Sequence, residues 1–338
     1  MTPDEAVERV RSISGRCLES HAGAVTWLQD MTIPVSLIWL PTAVADVAEA
    51  ELARALVPSR IRRRIEMILQ SPEPAWAKRA AYALCDRLAL PVACGEVLRE
   101  ARTSNGPSPP TPSFARRGLL GAGRDGDSQV GVSEVVASIH LVHTALGQPV
   151  PRWRGELAEW ARLRGIRGGD LHISYTHDHE SHLTLAACAP GLKGIGVDVV
   201  HLSRLRGERK GRRYLESFAR HFMSAEELEL FLSAGRHEDD EEFRIRAAAH
   251  FSLMEAASKA LGTGLKIGVG MGRPTSLPKQ SIGVRALNPA VEFLLTHDAE
   301  ARMRILHASR LTGYHAADGE YLVSTAVLSD AGLVMRDA

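Results

Sequence analysis

The sequence predicts an α+β fold in which helical segments are followed by short strands, in two successive blocks. The first hundred residues carry helical apolar spacing, with one β-branched run at Thr32–Leu40. From Val132 onward, short apolar runs alternate with turns and helices, and the closing runs are joined by short polar connections that favour antiparallel pairing. With 338 residues, 45% of them hydrophobic, the chain is long enough for two domains with substantial cores.

In the first block, Thr2 is suited to be the N-cap of a helix that begins at Pro3. Further helices are predicted at 43–57, 59–70 and 75–90, and a strand at Thr32–Leu40. Ser104–Gly131 is dominated by Gly, Pro, Ser and Asp, which predicts either a mobile loop over a site or a disordered insertion. We therefore expect deletion of 106–127 to change stability little.

The second block begins with a β-like run at Val132–Leu146 and a helix at Gly155–Leu163. We predict three strands of one sheet at 171–174, 183–188 and 195–200, then a single helix over Tyr214–Ala234 and a long helix that ends at Gly262. Strands are predicted at 291–295, 303–308 and 321–328.

Composition excludes several classes of protein. The 41 basic and 40 acidic residues leave a charge of +1, so no global field attracts nucleic acid or an anionic membrane. Four cysteines without a CxxC pair indicate thiols in a reducing cytoplasm. The N-terminus is acidic and amphipathic, unlike a signal peptide, and prolines break the apolar run at 33–50. A cytoplasmic protein without a membrane span is expected.

One carboxylate lies inside an apolar strand. In the run IGVDVV, Ile195 and Val199 share one face, whereas Gly196 and Asp198 lie on the other. A carboxylate there needs a cation or hydrogen-bond donors, since burying it alone is unfavourable. The alternative is a strand-end aspartate bonded to a turn.

A second candidate pair lies on the helix FSLMEAASKALGTG, where Glu255 and Lys259 are four residues apart and face the same side. Such a pair is most often a solvated surface ion pair of small energetic value. A metal site built from Asp198 and Glu255 would account for both the buried aspartate and the helical glutamate.

The segment HISYTHDHESH contains three closely spaced histidines, His177, His179 and His182. Zinc is one interpretation, but the spacing i, i+2, i+5 in a hairpin does not bring all three side chains to one point. A single functional histidine is favoured.

The blocks GIGVDVVHLSRL, ARHFMSAEELELF and AAHFSLMEAASKALGTGL resemble the signature segments of 4′-phosphopantetheinyl transferases. Upstream, GQPVPRW and HISYTHD resemble the G-x-P and S-H segments of that family. The order of the blocks is that of the longer, surfactin-synthetase-type monomers, whereas the residues within each block are more similar to those of the short holo-acyl-carrier-protein synthases.

This resemblance implies two similar α/β halves related by a pseudo-twofold axis, with the Gly/Pro-rich loop in the first. Residues 1–193 would form a degenerate, coenzyme A-binding half, in which 73–88 is faintly similar to the Phe251 helix without its acid and lysine. Residues 194–338 would form the catalytic, Mg²⁺-binding half.

The resemblance also implies roles for single residues. Asp198 and Glu255 match the carboxylates that hold Mg²⁺ on the coenzyme A pyrophosphate, and Lys259 matches a lysine that faces the phosphates. His177 matches a histidine near the nucleotide 3′-phosphate, and Thr176 before it keeps a hydroxyl; both are expected to bind coenzyme A, together with Gln148 and Arg154. Gln148 stands where many members have a lysine.

The chain also departs from the family pattern. Val200 replaces a second strand carboxylate, and Met254 stands where a lysine usually precedes the glutamate. Arg154 is one candidate substitute cation, and a basic ridge is another (Arg60, Arg62, Arg63 and Arg64). We therefore expect Met254→Lys to change activity only a few-fold.

The implied reaction transfers phosphopantetheine from coenzyme A to a serine of an acyl or peptidyl carrier protein, with release of 3′,5′-ADP. Two alternatives stay open: a non-catalytic member that binds coenzyme A or a carrier protein, and an unrelated Mg²⁺-dependent enzyme acting on phosphates. The expected partners include neither nucleic acid nor membrane.

Overall fold

A computed structural model describes most of the chain, and it mixes helices and sheets as the α+β prediction requires. The described residues are 2–31, 33–42, 55–57, 63, 74–104, 139–143, 149–163, 165–206, 211–266, 276–287 and 291–331. The α-helices are α1 (Pro3–Ser20), α2 (Pro74–Ser104), α3 (Gly155–Leu163), α4 (Arg212–Phe222), α5 (Ala225–Ala234), α6 (Asp240–Ala260) and α7 (His297–Ile305). The strands are β1 (Val35–Pro41), β2 (Ile139–His143), β3 (Pro149–Trp153), β4 (Leu171–Asp178), β5 (Ser181–Cys188), β6 (Leu192–His201), β7 (Leu265–Lys266), β8 (Leu277–Pro278), β9 (Ile282–Ala286), β10 (Glu292–Leu295), β11 (Arg310–Ala317) and β12 (Tyr321–Ser329).

Two three-stranded antiparallel sheets form the centre of the molecule, in the orders β1-β5-β4 and β11-β12-β6. Apolar side chains from both sheets meet in one core cluster, to which β1 contributes Trp39, β5 contributes Leu185 and β6 contributes Val197. On the outer faces, α2 packs on β1 and β5, and α6 packs on β6 and β12. The central architecture is therefore helix, sheet, sheet, helix.

Helix α1 begins as predicted. The Thr2 hydroxyl accepts from the Glu5 amide, and the Glu5 carboxylate accepts from the Thr2 amide, which completes a capping box. Helix α2 was predicted to end near residue 90 but continues through Pro91 to Ser104. Leu88 and Val92, on either side of this proline, are fully buried, and their packing offsets the lost backbone hydrogen bond.

Three sequence predictions are corrected. The strands at 171–174, 183–188 and 195–200 exist but belong to two sheets, since β6 pairs with β12. The helix over Tyr214–Ala234 is two helices, because Met223 is extended and Ser224 caps α5 through the Glu227 amide. The segment 303–308 is no strand but covers the end of α7 and the following turn, and the strand lies at β11.

Several predictions fall outside the described residues. They are most of the helical segments 43–57 and 59–70, the stretch after Ser104 as far as Gly131, and most of Val132–Leu146 outside β2. Within the described chain, no helix carries an apolar stretch long enough to cross a bilayer.

Two glycines of β6 allow α6 to approach unusually closely. A Cβ atom added at Gly196 would collide with the carbonyl oxygen of Ala256, and one added at Gly194 would collide with that of Ala260. The backbone of α6 therefore lies directly on the strand, which fixes the position of every side chain that α6 turns towards β6.

Candidate active site

Asp198 lies on the face of β6 that meets α6, as the alternation in IGVDVV predicted, and only 7% of the residue is exposed. Lys259 of α6 donates from Nζ to Asp198 Oδ1 at 2.8 Å and to the Val197 carbonyl oxygen at 2.9 Å. The solvated-surface alternative is therefore wrong for Lys259, whose ammonium neutralises a buried carboxylate on the neighbouring strand.

Thr176 joins the same carboxylate from the other sheet. Its hydroxyl donates to Asp198 Oδ1 at 2.9 Å. Two residues earlier on β4, the Ser174 hydroxyl accepts from the Val197 amide at 3.0 Å. In the structure, the hydroxyl of Thr176, which was expected to help bind coenzyme A, orients Asp198.

Glu255 precedes Lys259 by one turn of α6 and is partly buried. Burial, and next the nearby charge of Asp198, raise the pKa of its carboxyl to about 7, while the charge of Lys259 opposes the shift. The two carboxylates are thus close enough to repel each other, and a bound cation would relieve this repulsion.

The donor set fits Mg²⁺. Carboxylate oxygens are its usual protein ligands, and it commonly takes one or two of them, with water and phosphate oxygens completing the octahedron. In the part of the chain that the structure describes, no group of three or more His, Cys, Asp or Glu side chains could hold a metal ion. Asp198 and Glu255 would therefore be the protein's own contribution.

The three histidines of the β4–β5 hairpin have separate surroundings. His177 is exposed and stacks on Tyr82 of α2, with ring centroids 3.9 Å apart. His179 stacks on His201. His182 is fully buried, its Nε2 lies 2.9 Å from Thr184 Oγ1, and burial lowers its pKa to about 3.

Asp178 was not singled out from the sequence, yet it ties the end of β4 to the end of β6. Its Oδ1 accepts from Arg204 Nη1 at 2.7 Å and from the His179 amide at 2.9 Å, and its Oδ2 accepts from the His201 amide at 2.7 Å. These bonds hold the hairpin that carries Thr176 and His177 against the strand that carries Asp198.

Two of the remaining candidates, Arg154 and Arg63, are among the described residues. Arg154 is exposed between β3 and α3, and no described contact links it to Asp198, Glu255 or Lys259. Gln148 lies outside the described residues, as do Arg60, Arg62 and Arg64, whereas Arg63 is described and exposed.

Met254 does not face the site. It is 1% exposed and belongs to the core cluster around α6. A lysine at this position would therefore lie in the core and not beside Asp198, so the methionine removes no cation from the site.

Comparison with known proteins finds similarity over the second part of the chain. The sequence model described as "4'-phosphopantetheinyl transferase superfamily" matches residues 194–325, which include Asp198, Glu255 and Lys259. A holo-[acyl-carrier-protein] synthase of Shewanella amazonensis is 31% identical over 137 residues, which are 40% of this chain and 96% of the relative.

Solved holo-[acyl-carrier-protein] synthases are also similar to part of the chain. The structure from Neisseria meningitidis is 23% identical and matches 41% of this chain and 99% of its own, with a TM-score of 0.32. The structure from Bacillus anthracis, in complex with CoA (3′,5′-ADP), is 19% identical and matches 42% and 100%, with a TM-score of 0.30.

Proposed function

The chain belongs to the 4′-phosphopantetheinyl transferase superfamily, and we propose that it transfers phosphopantetheine from coenzyme A to a serine of an acyl or peptidyl carrier protein. The observation that carries the proposal is the cluster on β6 and α6, where Asp198, Glu255 and Lys259 share one side of the strand–helix contact. These residue types suit a pyrophosphate with a hard cation.

In the proposed reaction, the serine Oγ forms a bond to the β-phosphorus of coenzyme A. The bond between that phosphorus and the bridging oxygen breaks, and the oxygen leaves with 3′,5′-ADP. Mg²⁺, when bound by Asp198 and Glu255, supplies positive charge to the pyrophosphate and the leaving oxygen. The carrier protein provides the nucleophile, so this chain contributes positioning, charge and a proton acceptor.

Besides holding Mg²⁺, Glu255 is suited to orient a water molecule that accepts the serine proton. Lys259 holds Asp198 in place and offsets charge on the phosphoryl group during transfer. His177, exposed at the end of β4, is proposed to contact the 3′-phosphate of coenzyme A.

The proposal extends to the organisation of the chain. Residues 1–193 would supply the coenzyme A-binding half and 194–338 the Mg²⁺-binding half, with the substrate lying between them near the hairpin. The pseudo-twofold relation of the halves, Mg²⁺ dependence and the cytoplasmic location stay predictions.

A non-catalytic relative that only binds coenzyme A or a carrier protein is the second candidate. Its support was the set of departures from the family pattern at Met254, Gln148 and Val200. The burial of Met254 weakens that support, since a side chain at this position points into the core.

Mass spectrometry of an apo carrier protein, incubated with this chain, coenzyme A and Mg²⁺, tests the proposal. We expect a mass gain of one phosphopantetheine group, its loss with a chelator, and its return when Mg²⁺ is added. Asp198→Ala and Glu255→Ala should each slow transfer at least about 100-fold. Glu300→Ala, which removes an exposed carboxylate on α7, is the matched control and should transfer normally.

Full activity of Asp198→Ala would exclude the metal role of that carboxylate. Binding of coenzyme A by the parent chain without any mass gain on several carriers would favour the non-catalytic alternative.

A further inference from the structure

We propose that Tyr82 is a positioning residue that fixes His177 for recognition of the 3′-phosphate of coenzyme A. This inference rests on the proposed function, because that proposal assigns the 3′-phosphate to His177. Tyr82 lies on α2, outside the segment 194–325 that matches the superfamily.

Tyr82 is itself held firmly. It is 9% exposed, and its hydroxyl donates to the carbonyl oxygen of His179 at 3.0 Å. His179 lies in the turn of the β4–β5 hairpin. A buried ring with its polar end bonded has little freedom, so it presents a fixed face to its neighbour.

That neighbour is the exposed imidazole of His177. The two rings are stacked with a centroid distance of 3.9 Å and an interplanar angle of 26°. The stack fixes the plane of the imidazole ring against the tyrosine face and so favours one rotamer of this exposed histidine. The face of a tyrosine ring also attracts cations, which suits an imidazolium that holds a phosphate.

Preorganisation of this kind strengthens binding because the side chain is ordered before the ligand arrives. The gain applies only to ligands that use the side chain. Tyr82 should therefore strengthen binding of coenzyme A, which carries the 3′-phosphate, and leave binding of 3′-dephospho-coenzyme A unchanged.

Isothermal titration calorimetry on the full chain, with Mg²⁺ present, measures both dissociation constants without requiring transfer. We expect the parent to bind coenzyme A more tightly than 3′-dephospho-coenzyme A. Tyr82→Leu should reduce this preference about 10-fold by weakening the binding of coenzyme A alone. Tyr82→Phe keeps the ring and should retain most of the preference. Tyr175→Leu, on the same face of β4 and stacked on His182 instead, is the matched control and should keep it fully.

In a His177→Ala background, Tyr82→Leu should have no further effect on the preference, since the positioned group is absent. Melting temperatures of all variants separate a lost contact from a lost fold, and Tyr82→Phe keeps the test valid if Tyr82→Leu is unfolded. An equal loss of affinity for both ligands in Tyr82→Leu overturns the inference, and so does a parent chain without any preference. Preference for coenzyme A with no mass gain on carrier proteins would overturn the proposed function and leave this inference standing.

Discussion

The molecule contains two contacts between a helix and a sheet, and they are built differently. Where α2 lies on β5, the strand carries no glycine, and Ala186 and Cys188 meet a cluster of α2 side chains that includes Leu88 and Val92. Where α6 lies on β6, Gly194 and Gly196 remove the strand side chains, and the helix backbone rests on the strand. The second contact is closer.

The polar groups in the two contacts differ accordingly. Across the closer contact, Lys259 of α6 donates to Asp198, and Thr176 of β4 donates to the same carboxylate from the neighbouring sheet. Across the wider one, His182 Nε2 lies 3.4 Å from Asp86 Oδ1, and among the described atoms neither that oxygen nor His182 Nδ1 has a hydrogen-bond partner. The close approach of α6 to β6 thus lets the short Asp198 side chain bond to Lys259 of the helix, whereas, within the described part of the chain, the polar pair between α2 and β5 keeps buried atoms without a bond.

The largest expected effect comes from closing the gap that the glycines leave. Gly196→Ala places a methyl group on the carbonyl of Ala256, so α6 must move away from β6. We expect a loss of about 3 kcal/mol in the free energy of unfolding and loss of transfer, because Glu255 and Lys259 move with the helix. Urea unfolding and the mass assay measure the two effects.

Gly15→Ala is the control for this substitution. Gly15 lies within α1, and an added Cβ would have no atom within 4 Å. Alanine should stabilise this helix by about 0.5–1 kcal/mol and leave transfer unchanged. Equal behaviour of the two alanine variants would show that the close contact does not hold the site.

The sequence predicted the parts of this contact that depend on local patterns. The alternation in IGVDVV placed Asp198 and Gly196 on one face, and the spacing of four placed Glu255 and Lys259 on one side of a helix; the structure confirms both. The error at 303–308 arose because a short apolar run fits a strand and a helix end equally well.

The bond between Lys259 and Asp198, and the stack of Tyr82 on His177, join residues 61 and 95 positions apart. Such contacts are set by tertiary packing and leave no periodic signal in the chain. Tyr82 had no signal of its own, since one tyrosine on an apolar helix is ordinary core material. Asp178 had a weak one, as a carboxylate at the end of a strand next to the histidines.

A second prediction tests whether Met254, on the face of α6 turned away from β6, contributes only to core packing and not to the site. Met254→Lys would bury an ammonium where Met254 is 1% exposed, and we expect a loss of about 2–3 kcal/mol in unfolding free energy. Met254→Leu should lose less than about 1.5 kcal/mol. Transfer per folded molecule should change only a few-fold in either variant, because the side chain does not reach Asp198. A rise of about 100-fold in kcat/KM for Met254→Lys would contradict this placement.

The smallest expected effect concerns the polar pair in the wider contact, where two groups titrate in opposite senses. Burial raises the pKa of Asp86 from 3.8 to about 7, so the folded chain binds its proton more tightly than the unfolded chain does. The contribution of Asp86 to the free energy of unfolding is therefore complete below about pH 3.8 and is lost as the pH rises through 7. His182, whose pKa burial lowers to about 3, stabilises the fold above about pH 6.5 and loses this contribution as the pH falls.

In the parent chain, Asp86 lowers the free energy of unfolding and His182 raises it as the pH increases from about 4 to 6.5, so their effects partly cancel. Variants that remove one of the two groups separate these effects. Asp86→Asn should become more stable relative to the parent as the pH rises from 4 to 7. Because 24% of the Asp86 side chain is still exposed, we expect a difference of about 1–2 kcal/mol rather than the full value of the shift. His182→Asn should show the reverse change, and Glu255, which titrates in the same range, cancels in both comparisons. Urea unfolding at several pH values measures these differences. Identical pH profiles for the parent and Asp86→Asn would mean that water satisfies this carboxylate and that the two helix–sheet contacts are equally well bonded.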